Sequence, residues 1–80
     1  MQGAYFFMEY PMSLTQMAVS AMFAEAGKYG ITMSALAREA GVTRVTLSNW
    51  RSGRTIPLLD AYLATRAALD SMVADKQRVG

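Results

Sequence analysis

Two short segments that each begin with a threonine and end at a glycine follow one another in residues 32–53, and they restrict the fold more than any other feature. Thr32 and Thr43 are placed to cap helices, because a threonine hydroxyl accepts hydrogen bonds from backbone N–H groups two or three residues ahead. Gly41 and Gly53 mark where those helices end, since glycine adopts the left-handed conformation without a Cβ penalty. The stretch therefore predicts two short helices joined by a tight turn.

The apolar residues inside both segments recur at helical spacing. Leu36, Ala37 and Ala40 form a narrow stripe on the first helix, and Leu47 and Trp50 are predicted to face the core from the second. Two helices that pack through small residues across a glycine turn are typical of a helix-turn-helix. The second helix then presents these residues outward: Arg44, Val45, Ser48 and Asn49.

The order and spacing around this turn match more than a generic pair of helices. The residues concerned are Leu36-Ala37, Ala40 through Arg44, Leu47 through Trp50, Gly53 and Pro57. In this arrangement they resemble the helix-turn-helix of the lambda-repressor-like family, the Cro/C1-type regulators of phages and bacteria. The resemblance covers roughly residues 14 to 69. It implies an all-α domain that binds double-stranded DNA.

Two positions depart from the pattern of that family. Many members carry a glutamine at the start of the first short helix, where it contacts a phosphate, and this chain has Met33 there. Many also carry a glutamate just after the tryptophan, where this chain has Arg51. The first departure weakens one DNA-backbone contact that the resemblance implies. The second makes the surface more basic, which favours nucleic acid.

The basic residues concentrate where the helix-turn-helix is predicted. Four of the eight Lys and Arg residues lie between Arg38 and Arg54, against a single acid, Glu39. The local charge is therefore +3, above the +2 of the whole chain. A basic cluster on the second helix and the loop after it is the electrostatic footprint of a DNA-binding protein. Arg38 itself is expected to pair with a neighbouring acid rather than with DNA.

The predicted roles follow from how a recognition helix enters the major groove, with its N-terminal residues nearest the base edges. Arg44 is expected to fork onto guanine O6 and N7, and Val45 to contact a thymine methyl group. Asn49 is expected to pair with adenine or to reach a phosphate. Thr46 and Ser48 are weaker candidates for base contacts, because both hydroxyls can hydrogen-bond to the helix backbone instead.

A second set of side chains is expected to hold the sugar-phosphate backbone, which fixes register without reading sequence. Helix N-termini attract phosphate through their backbone N–H groups and the helix dipole, and arginines at the end of the second helix add positive charge. The predicted phosphate contacts are Ser34, Thr43, Arg51, Ser52 and Arg54.

One helix is predicted on each side of this unit, over residues 11–26 with Ser13 as its cap and over residues 58–78 after Pro57. The fold class is therefore all-α, a small helix-turn-helix bundle of four to five helices with a long C-terminal helix. The predicted apolar face of the first helix is Leu14, Met17, Ala18, Ala21 and Met22. That of the last is Leu59, Tyr62, Leu63, Leu69, Met72 and Val73, with Arg66 interrupting it.

Residues 1–12 are predicted to form a short irregular or strand-like N-terminal arm before a helix-turn-helix domain of residues 13–80. A strand, a dimer-swapped arm and core cover remain open for it, and Met8 and Met12 are plausible translation starts. The arm lacks the basic leader of a signal peptide, and no stretch approaches the roughly eighteen apolar residues of a membrane span. We therefore expect a cytoplasmic protein. The aromatic residues of the arm are Tyr5, Phe6, Phe7 and Tyr10.

Composition narrows the class of protein. Eighty residues make at most one domain, and 52% apolar with 18% charged residues argue against disorder. A chain this short buries only about 60–65% of its unfolded surface, so a homodimer would add stability. The last helix continues through Met72 and Val73, either as a dimer seam or as one long helix with a frayed polar end.

The chain contains neither cysteine nor histidine. Disulfides, the common zinc sites and a histidine-dependent triad are therefore excluded. The six scattered carboxylates do not pair at a spacing suited to acid–base work, and no glycine-rich phosphate loop follows a strand. Neither an enzyme, nor a cofactor, nor a metal site is predicted.

Three functions fit these observations. The first is a sequence-specific DNA-binding transcriptional regulator, a phage or mobile-element repressor that binds a palindromic operator as a homodimer. The second is the antitoxin of a toxin–antitoxin pair, which would add a toxin-binding surface. The third is a protein-interaction module that keeps the fold and binds a partner through the N-terminal arm or the C-terminal helix. The outward Arg44, Asn49, Arg51 and Arg54 argue against the third.

Overall fold

The computed structural model describes residues 13–79, which form four helices. They are α1 (Leu14–Lys28), α2 (Met33–Ala40), α3 (Arg44–Ser52) and α4 (Leu59–Val79). No strand occurs in this part of the chain. The predicted fold class, a small all-α helix-turn-helix bundle with a long C-terminal helix, is confirmed. The predicted arm, residues 1–12, lies outside the described residues.

The start and stop signals of the two short helices act as predicted. The Thr32 and Thr43 hydroxyls each accept a hydrogen bond from the backbone N–H three residues ahead, at 3.1 Å in both cases. Gly41 and Gly53 end α2 and α3 with φ angles of 77° and 82°. A side chain at either position would strain the backbone, so the two glycines fix where the short helices end.

A capping box starts α1. The Ser13 hydroxyl accepts from the Gln16 backbone N–H at 3.1 Å, and the Gln16 side-chain oxygen accepts from the Ser13 N–H at 3.3 Å. The helix ends at Lys28, two residues beyond the predicted end, because Gly27 keeps a negative φ. The turn comes instead at Gly30, whose φ is 69°.

The core lies where the four helices meet. α2 packs against α3 and α4, and α1 packs against the same two helices from another side. Leu36 and Leu47, from the two short helices, have no exposed surface, and neither do Met22 of α1 and Leu69 of α4. The other buried apolar residues are Val19, Ala26, Ile31, Ala37, Trp50, Ala68 and Val73.

The predicted inner face of α1 is partly wrong. Met22 is buried as expected, but Leu14 and Met17 are 64% and 49% exposed, and Ala21 is exposed too. Val19, absent from the prediction, is buried instead. The helix carries apolar residues on several sides, so periodicity alone does not identify the side that meets α3 and α4.

The first half of α4 departs from the prediction in the same way. Leu59 and Leu63 are exposed, whereas Thr65 and Ala68 are buried. The Thr65 hydroxyl is satisfied inside its own helix, because it donates to the Ala61 carbonyl at 2.9 Å. In this half of α4 the contact with the core is therefore made by small residues together with Tyr62, which is half-buried as predicted. None of the helices described within residues 13–79 is long and apolar enough to cross a membrane.

An ion pair ties α4 to α1 at the point where Arg66 interrupts the apolar stripe. The Arg66 guanidinium lies 2.5 Å from a Glu25 carboxylate oxygen and 3.0 Å from one of Asp70. The hydrogen bond to Glu25 raises the pKa of Arg66 above its ordinary value; burial opposes the shift, and the charge of Asp70 adds to it. Arg66 therefore stays charged and joins residues 41 positions apart in the sequence.

Candidate nucleic-acid interface

Helix α3 separates its side chains into two faces. Leu47 is fully buried and Trp50 is 5% exposed, so both belong to the core, as predicted. Arg44, Val45 and Ser48 are exposed, and Val45 reaches 68%. Positions i, i+1 and i+4 together span only about 100° around a helix axis, so their side chains leave the same half of the helix. An arginine, a valine and a serine therefore form an accessible surface on the side of α3 that the core leaves uncovered.

The other two predicted base contacts, Thr46 and Asn49, are half-buried, so Asn49 is less accessible than the predicted outward position implies. The Thr46 hydroxyl lies 2.9 Å from the Thr43 hydroxyl, so it is engaged with the helix cap. The backbone carbonyl of Asn49 accepts from the Arg54 N–H at 2.9 Å and from the Thr55 N–H at 3.3 Å. Through its backbone carbonyl, Asn49 therefore also holds the loop after α3, which no pattern in the sequence predicted.

The predicted phosphate contacts are all exposed, and they lie at helix ends. Ser34 is the second residue of α2, and Thr43 is the cap of α3. The first backbone N–H groups of a helix have no partner within it, and together with the helix dipole they favour an anion. Both helix N-termini can therefore receive a phosphate oxygen.

The remaining phosphate candidates lie at the other end of α3. The Ser52 hydroxyl donates to the Asn49 carbonyl at 3.2 Å and accepts from the Arg54 N–H at 3.4 Å. These bonds hold the loop against the helix, so Arg54 follows Arg51 closely in space as well as in sequence. Both arginines are exposed. Two exposed arginines therefore lie in the last turn of α3 and in the loop that directly follows it.

The expected pairing of Arg38 with a neighbouring acid is not found. The ion pairs within residues 13–79 are those of Arg66 with Glu25 and Asp70 and of Arg78 with Asp75. Arg38 is exposed on α2. An exposed i,i+4 or i,i+3 pair contributes little stability, so nothing in the fold requires Arg38 to make one.

Gln16 of α1 lies beside the end of α3, which no pattern in the sequence predicted. A Cβ atom at Gly53 would lie 2.6 Å from the Gln16 amide nitrogen. Gln16 and Ser20 of α1 share a small cavity with Arg51 and Ser52 of α3. The serine and glutamine of the capping box, three residues apart, were the available signal. That signal predicts a helix start, but not the helix end against which the glutamine packs.

Two short capped helices, joined by a glycine turn and presenting arginines on the second, define a helix-turn-helix protein. A family model described as Helix-turn-helix matches residues 24–64, just over half of the chain. The chain therefore belongs to the Cro/C1-type helix-turn-helix family, and it is a DNA-binding regulator of that class. No curated protein and no solved structure matches the chain. The matched span includes both threonine caps and both glycine stops.

Proposed function

We propose that α3 is the recognition helix and that its exposed face reads base edges in the major groove. The observation that carries this proposal is the uncovered surface of Arg44, Val45 and Ser48 on a helix whose other face is buried. Arg44 offers two parallel N–H donors to guanine, and Val45 offers a methyl surface to thymine. Asn49, one turn further along, contacts adenine or a phosphate.

The exposed residues at the helix ends hold the DNA backbone in this proposal. The N-terminus of α2 near Ser34 and the cap of α3 at Thr43 each face a phosphate. Arg51 and Arg54 contact the strand beyond the other end of α3, and Ser52, whose hydroxyl proton is donated to a backbone carbonyl of α3, positions the loop that carries Arg54. Such contacts supply affinity and fix register, but they carry no sequence information. The structure supports this assignment because the loop after α3 is hydrogen-bonded to the helix that it follows.

The biological role that we propose is repression by a homodimer bound to a palindromic operator of a phage or mobile element. The two recognition helices of such a dimer lie about 34 Å apart, one turn of DNA. Membership of the Cro/C1-type family supports this role, since it provides the DNA-binding unit. Repression would then follow from occupying promoter DNA.

The test is binding of the full chain to its own upstream region and to random duplex DNA, at two salt concentrations. We expect tighter binding to the upstream region, and affinity for both DNAs that falls as salt rises, because bound cations are released from the phosphates. A two-fold symmetric footprint would support the dimer. Absence of binding at low salt would contradict the DNA-reading surface, and a single half-site footprint would contradict the dimer alone.

A further inference from the structure

An apolar groove lies between α1 and the segment that leads into α4. One wall is formed by the first two turns of α1, and the other by the start of α4 and the proline before it. The leucines on the two sides are open to solvent, with Leu14 at 64% and Leu59 at 69% exposure. The groove residues are Leu14, Thr15, Ala18, Pro57, Leu59 and Tyr62, none of which is charged.

More apolar surface continues along both walls. Met17 follows Leu14 by three positions and Leu63 follows Leu59 by four, so each lies on the same side of its helix as the groove leucine. Their exposed fractions are 49% and 52%. A contiguous apolar surface on a small domain is rarely left open to water, and it marks a contact with another segment or molecule.

We propose that residues 1–12 of the same chain cover this groove. They join α1 at Ser13, the residue before Leu14, so the segment starts at the edge of the groove. Four of the chain's eight aromatic residues fall within it, whereas it holds no Lys or Arg and only one acid, Glu9. Aromatic side chains bury large apolar areas. The absence of positive charge makes DNA a poor alternative partner for the segment.

Length and attachment favour this occupant over a second copy of the chain. Twelve extended residues span at most about 40 Å, whereas Leu14 and Ala18 are only about 6 Å apart along the axis of α1. The segment is therefore long enough to run along the α1 wall of the groove from its own point of attachment. Because it is covalently joined, its effective concentration at the groove does not depend on the protein concentration.

The test is the reactivity of a single thiol in the groove of the full-length chain. The chain has no cysteine, so Ala18→Cys creates one reporter among the groove residues, and Ala24→Cys creates a matched reporter at an exposed position of the same helix. The rate of reaction with a maleimide is measured in each variant. It is measured again with Tyr5, Phe6, Phe7 and Tyr10 all replaced by serine, at low and high protein concentration, with circular dichroism to verify folding.

We expect the arm to protect the groove thiol: replacing the aromatics should raise the rate at position 18 several-fold and leave the rate at position 24 unchanged. The protection should be equal at both protein concentrations. Protection that increases with protein concentration would overturn the proposal and identify a second copy as the occupant. A rate at position 18 that does not respond to the serine substitutions would overturn it as well.

Discussion

At the scale of single residues, α3 separates the side chains that hold the fold from those that we propose to contact DNA. Leu47 has no exposed surface, while Val45, two positions earlier, is 68% exposed. The same nine-residue helix therefore serves two purposes through opposite faces. Substitutions on the two faces should have separable effects, one on stability and the other on DNA binding.

Substitutions on the buried face of α3 should reduce the stability of the protein. Leu47→Ala should lower the free energy of unfolding by about 2–5 kcal/mol, because it removes buried methyl groups and leaves a cavity. Val45→Ala is the matched control, and as a surface substitution it should change stability by no more than about 0.5 kcal/mol. Urea denaturation followed by circular dichroism measures both. Equal stabilities for the two variants would contradict the assigned orientation of α3.

Substitutions on the exposed face of α3 should affect DNA binding, and at Arg44 they should reduce the preference for one DNA sequence over another. Arg44→Ala should cost about 1–3 kcal/mol of binding to the preferred site and relax selection at one base pair. Arg54→Ala should weaken binding to all sequences alike, because a phosphate contact carries no sequence information. Fluorescence anisotropy with specific and random duplexes measures both effects.

A control for simple charge loss comes from the last turn of α4. Arg78→Ala also removes one positive charge, but Arg78 lies at the end of α4, where it pairs with Asp75. Arg78 is already paired with an acid and belongs to neither set of side chains assigned to DNA, so this variant should lose less affinity than Arg44→Ala or Arg54→Ala. The division of roles would fail if Arg44→Ala and Arg54→Ala reduced specific and random binding in the same ratio.

At the scale of elements, the ends of the helices are set by local chemistry. Gly41 ends α2 in the left-handed region at φ 77°, whereas Gly27 lies inside α1 with a negative φ and an open space around its missing Cβ. Replacing each glycine by alanine should therefore change the stability of the protein in opposite directions. The backbone conformation requires a glycine at position 41, whereas the glycine at position 27 only makes the helix more flexible.

The opposite effects of the two substitutions on stability can be measured. Gly27→Ala should stabilise the protein by about 0.5 kcal/mol, because glycine weakens a helix relative to alanine and the effect is smaller in the last turn than in the interior. Gly41→Ala should destabilise it by about 1–2 kcal/mol, since an L-residue is strained in the left-handed conformation. Thermal unfolding of the two variants beside the parent provides the comparison. A destabilised Gly27→Ala would show that α1 ends earlier in solution than in the structure.

This contrast also explains how much the sequence could predict. Thr32, Thr43, Gly41 and Gly53 act through bonds within a few residues, so their positions alone locate the turn and both short helices. The inner faces of α1 and α4 depend instead on which neighbours they meet. Both helices are apolar on several sides, so the spacing predicts Leu14 and Leu59 as core residues although they are exposed, while Val19 and Thr65 are buried.

The exposed surface of α3 was predictable because it too depends on local signals. Arg44, Val45 and Ser48 follow directly from the cap at Thr43 and the inward pair of Leu47 and Trp50, because a helix leaves few alternatives once its inner face is known. The part played by Gln16 was not predictable. Its proximity to Gly53 depends on the tertiary packing of α1 against α3, which no local pattern encodes.

At the scale of the whole molecule, polar contacts join the first and last helices: the Gln77 amide donates to the Tyr29 hydroxyl just after α1 at 3.3 Å, and Arg66 forms an ion pair. Arg66 bridges from α4 to Glu25 of α1 and to Asp70 of its own helix, with about a third of the Arg66 and Glu25 side chains exposed. The ion pair therefore joins α1 to α4, the first and last helices of the described residues. An ion pair in such a half-exposed position is partly screened by water, so its contribution to stability should be modest.

A double-mutant cycle measures this link. Glu25→Gln and Arg66→Met, singly and together, should give a coupling energy of about 0.5–1 kcal/mol. The coupling should shrink in 1 M salt, where charges are screened within about 3 Å. Asp70→Asn provides the comparison within one helix and should couple more weakly, because Asp70 is more exposed than Glu25. Additive single effects at low salt would show that the bridge contributes nothing.

The two-faced construction of α3 has a consequence for how such a protein changes over generations. No hydrogen bond or ion pair involves the side chains of Arg44, Val45 or Ser48 within the described part of the chain, so each can be replaced without disturbing Leu47, Trp50 or the threonine cap. If α3 reads DNA as proposed, a change in two or three codons suffices to redirect the protein to a different target while its fold is inherited intact. The nine residues of α3 can then acquire a new DNA specificity while the fold stays the same.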